Sequence, residues 1–551
     1  MIASDEFSKD YTDYLNGTYD LVDRIVLNGY YRIAQSPGGF RVFWRQLHGT
    51  DANLDNTHLM RWAGRFARRV HVFAAKNHIP IIECKKSFED DKRKHEIAAE
   101  HLPTDPAYTG LFCILYGRAP APIWDIKRFR NGAIDIRRQK PYPYVNHYSF
   151  HIIDPEWGHL IIKLCPHLPC NTQIILNAHE YVARQAKKAQ IAVEKVDNCF
   201  TSISNGAGFA QIADTMTVPG GEGQLAEVCD RWIYSCCLCF ALSLREQQEV
   251  GFRYQYSLYQ AEYSRNLLFH SGRVMDELLE SLIDRTRAPL NIQTVKTIFG
   301  AKQRPHRRKK GKRRRCEKVV ETPDYDLTVF KVHFGKLTAK IYSKGEHVLR
   351  IEVIAHNVSE LGFGRDLSKF SQIIAALRAI LERFIKVLSA INASFIDLGL
   401  LDGLSHAGTL GRARVAGIDL DRCRIQAVMA AVLALAAMPR GFQARQLATR
   451  VRAILGAEYT PRQAAYDLRK FRAKGLVEKV ARSRRYQTTD RGLPAIAALS
   501  TIRDKVIRPL LAGTVSDKEI KPQQNEHAID HQYRKIQMET ATLFQILGIA
   551  A

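Results

Sequence analysis

One stretch near the middle of the chain limits its folding more than any other: Arg307-Arg308-Lys309-Lys310-Gly311-Lys312-Arg313-Arg314-Arg315, cationic at every position but one. Such a run cannot enter an apolar core, because each unpaired charge would have to leave water. It is read as a basic linker, 301–320, with ordered segments on both sides. The 551 residues are too many for one core, and about three or four domains are expected. A hydrophobic fraction of 46% can fill several cores, which excludes a mostly disordered chain as well as collagen-like and coiled-coil readings.

The formal net charge of +25 is concentrated in two places. Residues 301–320 hold eleven Lys/Arg against one acid, and residues 421–512 hold nineteen against six. The other 439 residues carry 51 basic and 49 acidic groups, which nearly cancel. Two dense cationic segments on a neutral body point to a polyanion, nucleic acid first, since every phosphate neutralised releases counterions. The opening Met1-Ile2-Ala3-Ser4-Asp5-Glu6 has neither a basic head nor an apolar run. The longest apolar stretch, Ala427 to Met438, is too short to cross a membrane. The eleven cysteines follow no repeating framework and suit a reducing compartment. A cytoplasmic protein with no membrane partner is expected.

Periodicity gives an α+β multidomain chain. Residues 1–140 read as an α/β domain with parallel strands: a helix at Asn56–Asn77, strands at Ile79–Cys84 and Leu111–Tyr116, and a polar helix between them. Residues 141–300 read as a β-hairpin, Tyr144 to Leu164 around the turn Asp154-Pro155-Glu156-Trp157-Gly158, then a strand at Gln173–Leu176 and a central helical region. In that region Tyr254–Phe269 carries aromatics at helical spacing. Residues 321–398 read as a small antiparallel β-meander (Leu327–Phe334, Leu337–Tyr342, Val348–Ile354) plus a long helix, Leu367–Ile391. Gly399–Gly417 is the expected hinge, and residues 513–551 a polar tail with a terminal helix.

Residues 421–512 are the most informative. Ile425–Ala437 and Ala444–Leu455 are two helices, the second with Leu447, Val451 and Ile454 inward. Thr460-Pro461-Arg462-Gln463 opens a third: Thr460 caps it, Pro461 suits its first position, and Gln463 completes the reciprocal cap. Its outer face carries Arg462, Gln463, Tyr466, Arg469, Lys470 and Arg472. Leu476–Val480 and Arg485–Thr488 form a two-stranded wing whose tip holds Arg482, Arg484 and Arg485. This order resembles the MarR-like winged helix-turn-helix of bacterial DNA-binding proteins over about 70 residues, including the Lys474-Gly475-Leu476-Val477 junction and the Tyr486 to Gly492 exit. The resemblance implies a third helix in the major groove and wing arginines on the backbone or minor groove. Further stretches, among them Leu27-Asn28-Gly29-Tyr30-Tyr31 and Asn146-His147-Tyr148-Ser149-Phe150-His151, resemble a family of uncharacterised bacterial proteins of similar length. That second resemblance implies a bacterial origin and no particular activity.

Candidate chemistry is thinner, and each motif has a bland alternative. Glu83-Cys84-Lys85 has the form of a metal-dependent nuclease motif, but a charged surface strand explains it as well. Cys165-Pro166-His167-Leu168-Pro169-Cys170 could ligate zinc, yet no second Cys/His pair completes four ligands. His147, His151, His167, His179 and Glu180 form a loose polar group that would matter only if the fold brought it together. Tyr342-Ser343-Lys344-Gly345 with Val348 to Glu352 resembles a stretch of rolling-circle replication initiators, but no two of the nineteen histidines have the His-x-His spacing those enzymes need. No catalytic set, metal or cofactor is assigned. The expected partners are nucleic acid, duplex DNA foremost, and a second copy of the chain. The reading is a nucleic-acid-binding bacterial protein that uses Arg462, Gln463, Tyr466, Arg469, Lys470, Arg472, Arg482, Arg484, Arg485 and the run Arg307, Arg308, Lys309, Lys310, Lys312, Arg313, Arg314, Arg315. The alternatives are a mobile-element nuclease, transposase or replication enzyme targeted by its winged helix, and a structural protein whose charge meets an acidic partner.

Overall fold

A computed structural model describes residues 5–84, 96–196, 198–286, 329–334, 336–344, 346–392, 403–420, 422–438, 440–481 and 483–502, with 532, 535, 536, 538, 539 and 542 in the tail. The basic linker 301–320, Lys85, Arg482 and most of the tail lie outside the described residues. The chain divides into two compact units. Tyr19–Arg265 with Val353–Arg378 makes the first, and Asn266–Glu352 with Ala379–Ala551 and Ile2–Thr18 makes the second. Among the described residues no helix is long and apolar enough to cross a membrane.

The first unit is built on a mixed sheet. Its strands are β1 (Leu15–Tyr30), β2 (Ile81–Glu83), β3 (Gly110–Pro120), β6 (Tyr144–Asp154), β7 (Gly158–Leu164), β8 (Thr172–Asn177) and β11 (Gln255–Phe269), in the order β11-β1-β8-β7-β6-β3-β2. The hairpin β4 (Trp124–Arg128) and β5 (Ile134–Arg138) and the pair β9 (Val193–Lys195) and β10 (Phe200–Ile203) stand apart from it. Register explains the core. Leu27, Ile174, Ile162, Phe150 and Ile114 face one another across β1, β8, β7, β6 and β3, and all five are fully buried. Directly paired residues share a face, so this row forms one apolar stripe. Helix α1 (Asn56–Lys76) covers the same face: Phe66 meets the ring of Tyr148 with centroids 5.0 Å apart.

The hairpin expected at Tyr144–Leu164 is β6–β7, paired from Tyr148↔Leu164 to Asp154↔Gly158. Three expectations need correction. First, the sheet is not a parallel α/β layer: β2 and β3 pair in parallel, while β3–β6, β6–β7, β7–β8 and β8–β1 are all antiparallel. Second, the boundary placed at 140/141 falls inside this sheet, because β3 and β6 pair from Gly110↔Ile153 to Pro120↔Tyr144. Third, the central helical region contains β11. Tyr256, Tyr259 and Tyr263 fit a helical stripe, but aromatics also favour strands, and Tyr263–Phe269 is buried without interruption, as in a strand covered on both faces.

The expected meander is present, mostly within the second unit, as β12 (Val329–Phe334), β13 (Leu337–Ser343) and β14 (Val348–Ala355), with sheet order β12-β13-β14-β11. Every residue of β14 is buried. The long helix α2 (Phe370–Asn392) follows, and Ile373, Ile374, Leu377, Ile380, Leu381, Phe384 and Leu388 are its buried side, as their spacing requires. The meander and this helix do not form a unit of their own, since Val353–Arg378 belongs to the first unit and Ala379 onward to the second. Within the expected hinge, the described residues include a small hairpin, β15 (Gly408–Leu410) and β16 (Ala413–Val415).

Candidate nucleic-acid interface

Four helices and three short strands occupy 422–502. They run α3 (Cys423–Leu435), β17 (Phe442–Gln443), α4 (Ala444–Leu455), α5 (Pro461–Ala473), β18 (Val477–Lys479), β19 (Arg485–Thr488) and α6 (Gly492–Ile502). Helix α3 is apolar nearly all round and forms the centre, burying Ile425, Val428, Met429, Val432 and Leu435. Helix α4 turns Leu447, Ala448 and Val451 inward, and α5 turns Ala464, Leu468 and Phe471 inward. Ile454 does not join them. It is 48% exposed, because it lies in the last turn of α4, just before Gly456 ends the helix in the left-handed conformation.

The cap of α5 is the one its sequence spells. Gln463 N donates to Thr460 Oγ1 at 3.3 Å, Thr460 N donates to Gln463 Oε1 at 2.8 Å, and Pro461 fills the first helical position. The three strands lie in the order β17-β19-β18, with Phe442↔Tyr486 on one side of β19 and Val477↔Thr488 on the other. Strand β17, two residues long, has no period to read and was not foreseen. Gly441 leads into it at φ +68°, where a Cβ would stand 2.4 Å from the Tyr486 carbonyl oxygen, so a side chain is excluded twice over.

The expected contact residues separate by burial. Arg462, Gln463, Tyr466, Arg469 and Arg484 are exposed, and Arg472 is half-buried. Lys470, expected on the outer face, is buried, with its ammonium 5.2 Å from the Tyr466 ring centroid. Arg485 is half-buried and donates from Nη1 to the Gly441 carbonyl at 3.1 Å, which ties β19 to the approach of β17. Lys470 therefore leaves the candidate contact set, while Arg485 stands in it with one donor already engaged. Exposed cations that sequence reasoning passed over include Arg445 and Arg452 on α4, Lys479 on β18, and Arg412 and Arg414 on the hairpin β15–β16 that packs against α5.

One acid in this basic block is structural. Asp467 is fully buried on α5, where it accepts from Tyr459 Oη at 2.7 Å and from Arg424 Nη2 at 3.2 Å. Burial, then the hydrogen bond to Asp467, pushes the Tyr459 phenol up. The triad fixes α5 to α3 and to the loop before it. Its place between Ala464 and Phe471 on the inner face was the available sequence signal.

The other candidate chemistry disperses. Glu83 is exposed at the end of β2 and Cys84 is buried, while the upstream acids have structural partners: Asp51 pairs with Arg41 and Arg45, and Asp55 caps α1. Cys165 and Cys170 are buried thiols, and burial pushes Cys165 up to about 12. The histidines separate into three places. His151 Nδ1 meets His159 Nε2 at 3.0 Å; His179 Nδ1 meets Asp23 Oδ1 at 3.0 Å in the core; His147 and His167 line a cavity. Glu180 pairs with Lys195. Tyr342 hydrogen-bonds Glu352 at 3.3 Å, and Lys340 makes an ion pair with the same carboxylate. Among the described residues no three His, Cys, Asp or Glu side chains are grouped to hold a metal.

No family model, curated protein or solved structure matches this chain.

Proposed function

We propose that this chain binds nucleic acid, duplex DNA foremost, through a winged helix formed by 422–502, with Arg307–Arg315 adding contacts that do not depend on sequence. The observation that carries the reading is the order helix, strand, helix, helix, strand, strand, with the first short strand on the far side of the wing, and exposed cations on the third helix. In that arrangement α5 enters the major groove. Arg462 and Arg469 reach base edges or phosphates, and the Gln463 amide nitrogen remains available because its oxygen is taken by the cap. Arg484, at the tip between β18 and β19, meets the backbone or minor groove. Lys470 holds the scaffold, and Arg485 stands in both roles.

Fluorescence anisotropy with a labelled duplex tests this on the full chain. Replacing Arg462 and Arg469 with Ala is expected to weaken binding at least tenfold and to narrow the difference between preferred and random sequences. Unchanged affinity in the double variant, with its fold intact, would remove α5 from the interface.

A further inference from the structure

A cavity of about 550 Å³ opens at one end of the sheet in the first unit, within the range of small-molecule sites. It gathers residues of β1, β3, β6, β7, β8 and β11 and of three loops. Register places Asn28 opposite Gln173, Gln173 opposite Lys163, and Lys163 opposite Ser149, so these side chains form a polar row one step along from the buried apolar row. His147 lies two residues from Ser149 on the same face. The end of the sheet is therefore polar on the face that, one pair further along, buries Val26, Ile161 and Ile175.

Its charge has one sign. Lys163 and Arg365 line the cavity, and no Asp or Glu does. Arg365 is aimed by neutral groups: its Nε and Nη2 donate to Asn357 Oδ1 at 3.2 and 3.0 Å, its carbonyl accepts from Leu258 N at 2.8 Å, and its guanidinium carbon lies 5.4 Å from the Tyr259 ring centroid. The adjacent carboxylate, Asp366, is turned to the Ser368 amide at 2.9 Å. An arginine fixed by an amide and a ring, with no acid among its described partners, keeps its positive charge for a ligand. The hydrogen-bonding groups beside it are held as well: Gln173 Nε2 donates to Asn28 Oδ1 at 3.3 Å, and His147 Nδ1 is 3.1 Å from the Val145 carbonyl, which makes that nitrogen the protonated one. Pro120, Pro122, Ile123 and Pro169 supply an apolar, proline-rich wall to the lining.

We propose that this cleft binds the phosphate of a nucleotide, with the base against the proline wall. Arg365 is anchored to β11 and Lys163 stands on β7, three strand spacings away, roughly 14 Å between backbone lines. Both side chains are long enough to close on one phosphate group between them, and the apolar lining beside them offers a surface for the rest of a nucleotide. A free nucleotide and a nucleotide within a single strand offer the same chemistry. This site is independent of the winged-helix reading, since none of its residues lies in 422–502.

Isothermal titration of the full chain at low ionic strength tests it, with three probes: inorganic phosphate, a mixture of nucleoside 5′-monophosphates, and a 5′-phosphorylated single-stranded hexanucleotide. The wild type is expected to bind a nucleotide-bearing probe more tightly than inorganic phosphate. Lys163→Met and Arg365→Gln should each weaken that binding about tenfold, with the urea midpoint of tryptophan fluorescence unchanged. Arg365 is exposed, so its variant serves if Lys163→Met fails to fold. Mononucleotide binding identifies a free nucleotide, and binding of the hexanucleotide alone identifies a strand. No heat with either nucleotide probe, or equal affinity in wild type and both variants, overturns the assignment.

Discussion

Replacing Asp154 with Asn tests whether buried charge organises the first unit. Asp154 ends β6 at the turn into β7 and is fully buried. One carboxylate oxygen accepts from the amides of Glu156 and Trp157 at 2.7 and 2.8 Å; the other accepts from Arg231 Nη1 at 2.6 Å and Trp232 Nε1 at 2.7 Å. An asparagine has one oxygen, so its amino group must face one of these donor pairs and leave both donors unmatched. Two hydrogen bonds to a charged acceptor are worth at most about 3–6 kcal/mol. Arg231 is 36% exposed and recovers part of its loss in water, so about 3 kcal/mol is expected. All five tryptophans lie between residues 44 and 232, inside the first unit, so urea unfolding followed by tryptophan fluorescence reads the change where it occurs. The pH dependence follows from the same contacts. Burial pushes the Asp154 carboxyl up, but the hydrogen bonds from Trp232, the two amides and Arg231 outweigh it and hold the group below the usual carboxylate range. A carboxyl depressed in the folded state stabilises above its unfolded pKa of about 3.9 and loses that contribution as pH falls through the folded value. The gap between wild type and Asp154→Asn should therefore be constant at neutral pH and narrow below about pH 4. A loss under about 1 kcal/mol, or a gap that widens with acid, would refute the reasoning.

Tyr459→Phe removes one of the two described side-chain bonds to buried Asp467 and should cost about 1.5–3 kcal/mol, seen as an earlier far-UV circular dichroism transition; no shift would deny the triad its structural role. Burial, then the His147 charge, pushes His167 down to about 4 from 6.5, so the unfolded chain binds the extra proton between those values. Acidification through that window should destabilise the wild type more than His167→Gln, and a parallel decline in both would contradict it. On the candidate interface, Arg469→Ala should weaken duplex binding several-fold, whereas Lys470→Ala should lower stability and leave affinity within about twofold; the reverse pattern would return Lys470 to the contact surface.

Legibility in the sequence followed how local each signal was. The β6–β7 hairpin was marked by Asp154-Pro155-Glu156-Trp157-Gly158, the helix Phe370–Asn392 by its apolar spacing, and α5 by a cap that needs only Thr460 to Gln463. Strands covered on both faces were harder. β11 lacks clean alternation, because continuous burial over its second half removes the period-two contrast on which a strand reading depends. Lys470 was misplaced because a long apolar stem lets a cation take a buried position that its charge argues against. Of the cleft, candidate chemistry in the sequence marked only His147, Cys165 and His167: Asn28, Lys163 and Arg365 line one cavity only because strand order sets β11, β1, β8 and β7 side by side.

The most direct measurement is the affinity of the full chain for a labelled duplex across a series of salt concentrations. Three exposed arginines of the candidate interface, Arg462, Arg469 and Arg484, with the cations of Arg307–Arg315 in addition, predict a log–log slope of about −3 or steeper. A line that stays flat between low and physiological salt would mean that phosphates are not what these two basic segments meet.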